Sequence, residues 1–291
     1  MNARLDRANA ARTAIVTGGA KGICRVISDQ LAGLGWHLWL CDRDAPALDE
    51  TATWIRERHA VEVGTQLLDL REPGAVDALF AAFTKPDELP SAMICGAADY
   101  GVLGPLATVD FAAWKRSFDL NFFSVAEMIQ RYVRHAMAGP RRRRSIVVMG
   151  GGGLGSAQVA GATAAYSCAK AALNRLVEVV HEEVNGHGID INCLLPGLVN
   201  TGMVDQAIAA GPVLGPLYEA SLEVKSGGGT PPETAAEFVA QLLTDGCGGV
   251  SGRLFSAKWD RKAIAAPEAV KANPDLFRLR RIDDDLFGKK K

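Results

Sequence analysis

The chain has 291 residues, 48% apolar and 22% charged, with a formal net charge of −1. That length holds one large α/β domain or two small ones, with ample apolar material for a core. The balanced charge excludes a general pull toward nucleic acid, and no apolar run of about 18 residues offers a membrane span.

Residues 1–11 are polar and alanine-rich and are expected to fray. Thr13 to Thr17 is a short apolar run closed by Gly18-Gly19, which predicts a buried strand. Residues 22–34 carry Ile23, Val26, Ile27, Leu31 and Leu34 at helical spacing, stopped by Gly35. Trp36 to Cys41 predicts the second strand. Further strands are predicted over 61–68, 91–96, 145–149, 189–195 and 252–256. Helices are predicted over 46–59, 72–84, 110–138, 163–185 and 231–244. The alternation argues for a parallel sheet with helices on both faces, and uninterrupted runs such as Ile146-Val147-Val148-Met149 fit strands buried on both sides. No strong linker divides the chain, so one domain is expected over 12–256. Residues 202–230, rich in Gly, Pro and Ala, read as a mobile lid, and 257–291 as a C-terminal extension.

Six cysteines occur (Cys24, Cys41, Cys95, Cys168, Cys193 and Cys247), without a Cys-x-x-Cys pair. They read as buried free thiols in a reducing, cytoplasmic setting, with no disulfide or zinc framework. No signal peptide is expected, because no long apolar core follows a basic start. The run Arg141-Arg142-Arg143-Arg144 reads as a solvated loop before a strand, with an anion or partner contact as the alternative.

Thr17-Gly18-Gly19-Ala20-Lys21-Gly22-Ile23-Cys24 joins the first strand to the first helix. Glycines permit a tight turn and close approach of backbone to a pyrophosphate, and the helix start offers free N–H groups. A plain strand-to-helix turn is the alternative. Asp42 follows the second strand, where an acid accepts hydrogen bonds from the adenosine ribose and repels a 2′-phosphate. This favours NAD, although Arg43 and Lys21 leave NADP open; Asp42 as a helix cap is the competing reading. Asp69 follows the third strand and either meets the adenine or caps the helix near Glu72. Tyr166 and Lys170 stand one helical turn apart and share a face.

Taken together these segments resemble the classical short-chain dehydrogenase/reductase family over residues 12–256. The matching residues are Thr17-Gly18-x-x-x-Gly22, Asp42, Asp69, Gly104-Pro105-Leu106, Asn121, Tyr166-x-x-x-Lys170 and Pro196-Gly197-x-Val199-x-Thr201. The resemblance implies a single Rossmann-like, doubly wound parallel sheet of seven strands in the order 3-2-1-4-5-6-7. It implies a nicotinamide cofactor held by Gly18, Lys21, Gly22, Ile23, Asp42, Asp69, Tyr166, Lys170, Pro196, Gly197, Val199 and Thr201. It implies Tyr166 as acid/base toward a small alcohol or ketone, with Lys170⁺ pulling the phenol toward working pH and holding the ribose. Asn121 orders a proton-relay water, or is simply a buried Asn bonding backbone. It also implies a homodimer or homotetramer packed through 110–138 and 163–185.

Three positions depart from the family pattern. Cys24 stands for the third glycine, and Cys95-Gly96-Ala97-Ala98 for Asn-Asn-Ala-Gly. The serine expected after the fifth strand falls on Gly151 or Gly153, within Gly150-Gly151-Gly152-Gly153. Losing one positioned donor costs about 10²–10³ in rate, or about 3–4 kcal/mol. Ser156, a backbone N–H of the glycine run, or a water is left to fill that place. A catalytically silent nucleotide sensor and a non-redox enzyme on the same scaffold are the alternative functions.

Overall fold

The computed structural model describes residues 12–154 and 160–279. Seven parallel strands run β1 (Thr13–Thr17), β2 (His37–Asp42), β3 (Val63–Leu67), β4 (Ala92–Cys95), β5 (Arg144–Met149), β6 (Ile189–Leu195) and β7 (Arg253–Ser256). They pair in the order β3-β2-β1-β4-β5-β6-β7, as the resemblance implies. Successive side chains of a strand point to opposite faces. Accordingly Ala14 and Val16 join one core and Ile15 the other. The first core takes α1 (Gly22–Gly33), α2 (Ala45–Arg58) and, further along the chain, α9 (Pro232–Leu242). The second takes α3 (Ala75–Phe80), α5 (Ser124–Ala138) and α6 (Ala164–Glu183).

Several elements differ from expectation. The helix expected over 110–138 is α4 (Phe111–Phe118), a π-helical turn (Asp119–Phe123) and α5. The apolar spacing is helical throughout, so periodicity does not mark the insertion. The helix expected over 72–84 shrinks to α3, entered through Gly74 at φ +78°. Residues 202–230 hold α7 (Gly202–Ala210) and α8 (Pro216–Lys225), separated by Gly211 and Gly215 at positive φ. The arginine run is no solvated loop. Arg143 donates to the carbonyls of Leu242 (2.8 Å) and Leu243 (3.1 Å) at the end of α9 and lies 3.3 Å from Asp190, while Arg144 is buried at the start of β5. Five cysteines are buried, but Cys168 is exposed on α6.

Past β7 the chain forms α10 (Arg261–Ile264) and α11 (Pro267–Ala272), then returns along the edge strand. Leu254 N–H donates to Phe277 O at 2.6 Å, and the rings of Phe255 and Phe277 lie 5.0 Å apart. Buried Arg253 donates to the carbonyls of Pro274 (2.6 Å), Leu276 (2.7 Å) and Val270 (3.2 Å). The extension thus covers an open sheet edge, a place where unpaired backbone groups invite association. No helix among the described residues is long and apolar enough to cross a membrane.

Each Arg253 bond contributes about 1 kcal/mol net, and its loss leaves buried carbonyls unpaired. Arg253→Ala is therefore expected to lower stability by about 2–4 kcal/mol in urea unfolding. Limited proteolysis should then cut within 265–279 earlier than in wild type; an unchanged urea midpoint contradicts this tether.

Candidate active site

Strand order reverses between β1 and β4, and a cleft of about 260 Å³ opens there at the carboxyl ends of the strands. Of the residues singled out from sequence, Gly18, Lys21, Gly22, Ile23, Asp42, Asp69 and Thr201 line it. Gly18 has φ +69°, and a Cβ there would stand 3.0 Å from the backbone of Ala97. Gly22 has φ +54°, and its Cβ would stand 3.1 Å from Thr201 Cγ2. Both are positions where only glycine lets the turn close and leaves backbone bare to a ligand.

Asp42 does not cap a helix; Asp44 caps α2, accepting from Ala47 N–H at 3.1 Å. Asp42 instead accepts from Ala20 N–H at 3.2 Å and Asp44 N–H at 3.1 Å, which fixes its carboxylate at the cleft wall. Lys21 is ion-paired with Asp44. Asp69 caps no helix, since α3 begins at Ala75 behind Gly74; it lines the cleft and builds a turn, accepting from Arg71 N–H at 3.1 Å while its backbone carbonyl takes Glu72 N–H at 3.0 Å. Arg71 also clamps its carboxylate (3.0 and 2.7 Å) and reaches Asp99 at 3.6 Å, while Arg43 comes within 3.9 Å of Asp69.

The two departures nearest the cofactor turn prove complementary. A Cβ on Gly96 would meet Cys24 Sγ at 2.1 Å, so the thiol fills the space a side chain at 96 would occupy. Thr17 Oγ1 accepts from Gly96 N–H (3.1 Å) and Ala97 N–H (3.4 Å), tying β1 to the end of β4 without an Asn amide.

Asn121 lies fully buried in the π-helical turn. Its Nδ2 donates to the carbonyls of Ser117 and Asp99, both at 2.9 Å. Its Oδ1 is buried with no hydrogen-bond partner among the described residues. The turn packs on α6, which carries Tyr166 and Lys170. Lys170 is 1% exposed; its Nζ donates to Met149 O at 2.9 Å and lies 5.7 Å from the Tyr166 ring centre. Tyr166 is 7% exposed and packs edge-on against Tyr100, ring centres 4.9 Å apart, in an apolar cluster with Ala207, Leu214, Met203 and Leu217. Met203 belongs to that cluster and also lines the cleft, so the two spaces adjoin.

Tyr166 and Lys170 themselves do not line the 260 Å³ cleft but sit behind it. Burial, helped by Tyr100 and Cys193, pushes the phenol well above its ordinary value. Burial likewise pushes the Lys170 ammonium down to about 8, against the nearby thiols of Cys193, Cys95 and Cys24 and the carboxylate of Asp99. The expected lowering of the phenol by Lys170 does not emerge; desolvation leads at both groups and favours their neutral forms.

Pro196, Gly197 and Val199 do not line the cleft. Val199 is buried, and Gly197 packs on Thr230, whose N–H donates to Leu198 O at 2.8 Å across the base of α7 and α8. Ser156 lies outside the described residues. Asp99, Tyr100, Arg71 and Gln206, which accepts from Tyr100 N–H at 3.3 Å, were not marked by any sequence pattern. Their roles arise from contacts distant in sequence.

A family model described as short chain dehydrogenase matches residues 12–210. The chain is 27% identical over 250 residues to the 1-deoxy-11-beta-hydroxypentalenate dehydrogenase of Streptomyces exfoliatus, covering 84% of this chain and 82% of the relative. An NAD+-bound xylitol dehydrogenase superposes with TM-score 0.73 at 19% identity, over 85% of this chain and 97% of that one. An actinorhodin polyketide ketoreductase with NADPH superposes with TM-score 0.74 at 23% identity, over 85% of this chain and 96% of that one.

If Cys24 and Gly96 fit as a pair, Gly96→Ala should destabilise by about 1–3 kcal/mol. Adding Cys24→Gly should recover part of it, giving a coupling of about 0.5–2 kcal/mol in a double-mutant cycle. Strict additivity of the two changes in urea unfolding contradicts the fit.

Proposed function

The chain belongs to the short chain dehydrogenase family, and from that premise we propose that it is an NAD(P)-dependent oxidoreductase for a small alcohol or ketone. The observation that carries this reading is the meeting of Tyr166 and Lys170 at the end of β5, beside a cleft floored by glycines. The residues present fit a dinucleotide. Bare backbone at Gly18 and Gly22 receives the pyrophosphate at the start of α1, and Asp42 receives the adenosine ribose. Lys21 and Arg43 are engaged by Asp44 and Asp69, which leaves less positive charge for a 2′-phosphate and favours NAD.

A bound nicotinamide supplies or accepts the hydride. Tyr166 gives its proton to the substrate oxygen in reduction and takes it back in oxidation. Burial keeps the phenol protonated, the form that reduction requires. Lys170, fixed on Met149 O, sets the α6 turn that presents the phenol and holds the ribose. The unpaired Oδ1 of Asn121 accepts from a relay water. The apolar cluster around Tyr166 excludes bulk water. Exposed Phe111 and Phe123, on α4 and in the π-helical turn, support a homodimer or homotetramer built on these helices and α6. The fit of Cys24 against Gly96 weakens one motive for a catalytically silent reading, and the glycines at 150–153 keep the other.

The test is a fluorescence titration with NADH and NADPH, followed by turnover on a panel of ketones and sedimentation of the same preparation. NADH is expected to bind more tightly than NADPH, Asp42→Ser to narrow the difference, and the protein to sediment as a dimer or tetramer. Tyr166→Phe should lower turnover by about 10²–10⁴-fold while leaving NADH binding intact. Failure to bind either dinucleotide, or full activity of Tyr166→Phe, defeats the assignment.

A further inference from the structure

The four-glycine turn after β5 faces the Tyr166 hydroxyl, and the two are shaped to each other. A Cβ on Gly151 would stand 2.3 Å from Tyr166 Oη, closer than such atoms come in proteins, so no serine fits beside this tyrosine as it stands. A Cβ on Gly152 would stand 2.7 Å from Ser167 Cα, so the turn is pressed against the first turn of α6. Gly152 and Gly153 have φ +70° and +74°, a succession that only glycine adopts without strain. Among the described residues, the N–H groups of Gly151, Gly152 and Gly153 donate no hydrogen bond; Gly150 N–H is spent on Leu194 O at 2.8 Å. A second observation points to a ligand at this turn. Tyr166 is 7% exposed, and its hydroxyl is the group that the turn at Gly151 faces. A phenol hydroxyl beside N–H donors that no carbonyl takes among the described residues marks a place for an oxygen atom.

Resting on the oxidoreductase reading, we propose that backbone N–H groups of Gly151–Gly153 do the work of the absent serine by holding the substrate carbonyl oxygen beside Tyr166. During reduction the carbonyl carbon receives hydride from the reduced nicotinamide, and the C=O π pair moves onto oxygen. The glycine N–H groups hold that oxygen while it takes the Tyr166 proton; the products are alcohol, tyrosinate and oxidised cofactor. Backbone donors need no reorientation as charge develops, which is where positioned dipoles are most effective.

Two arms test this. In the first, Gly151→Ser and Gly151→Ala are assayed with NADH and ketones. The expected result is a fall in turnover of about 10²-fold for both, with NADH affinity within about twofold of wild type. Gly151→Ser turning over as fast as wild type, or faster, overturns the proposal. If wild type reduces no ketone, the oxidoreductase reading fails, and the second arm still decides this one. Protein labelled with ¹⁵N-glycine is titrated with trifluoroethanol in the presence of NAD+. Downfield movement of a Gly151–Gly153 amide proton, absent in Tyr166→Phe, supports the proposal; unmoved glycine amides overturn it.

Discussion

The hydrogen bond from Lys170 Nζ to Met149 O holds in place the two side chains on which the proposed chemistry depends. It ties the second turn of α6 to the last residue of β5, immediately before the glycine turn. One helical turn earlier stands Tyr166, so this one contact sets both the phenol and the surface it faces. The bond is costly to maintain. No carboxylate pairs with Lys170 among the described residues, and an ammonium taken out of water costs several kcal/mol. A lysine held at such expense behind a cleft at the carboxyl edge of a parallel sheet is a candidate for a functional role.

Around that anchor, substitutions that look like decay in isolation turn out to be matched. Cys24 replaces a glycine, Gly96 replaces an asparagine, and the thiol of one occupies the volume vacated by the other. Gly151, one of the two positions where the family pattern puts a serine, leaves bare the place that Tyr166 Oη takes. In both cases a side chain is gained or shifted where another is lost, which keeps the packing close. Thr17 supplies through its hydroxyl the β1–β4 link that the missing amide would have made.

Much of this was legible in the chain itself. The alternation of buried strands and amphipathic helices is a local signal, and it placed β1 to β7 within about two residues of where they lie. Glycines that need positive φ, such as Gly18 and Gly22, stood out because the turn chemistry is local too. What depended on distant contacts was hidden. The π-helical turn that buries Asn121 keeps helical spacing on both sides and so leaves no trace in periodicity. Arg143 reads as a surface charge until α9, about 100 positions later, brings its terminal carbonyls alongside. Tyr100 is one aromatic in a glycine-rich loop until Tyr166 packs against it. The lid region, rich in Gly, Pro and Ala, reads equally as a mobile flap or a packed helix pair, and the structure has the pair: α7 and α8, joined by an ion pair of Lys225 with Asp205 at 2.5 Å.

The most direct test of the anchor is the stability of Lys170→Met against wild type as a function of pH. The folded lysine titrates near 8 and the unfolded one near about 10.4. Between those values the unfolded chain binds more protons, so the lysine's contribution to wild-type stability rises with pH in that window. Urea unfolding should therefore find Lys170→Met more stable than wild type at pH 7, by on the order of 1–3 kcal/mol, with the advantage shrinking from about pH 8 upward and turnover lost. A variant that is less stable than wild type at pH 7, or a difference independent of pH up to about 10, contradicts the account.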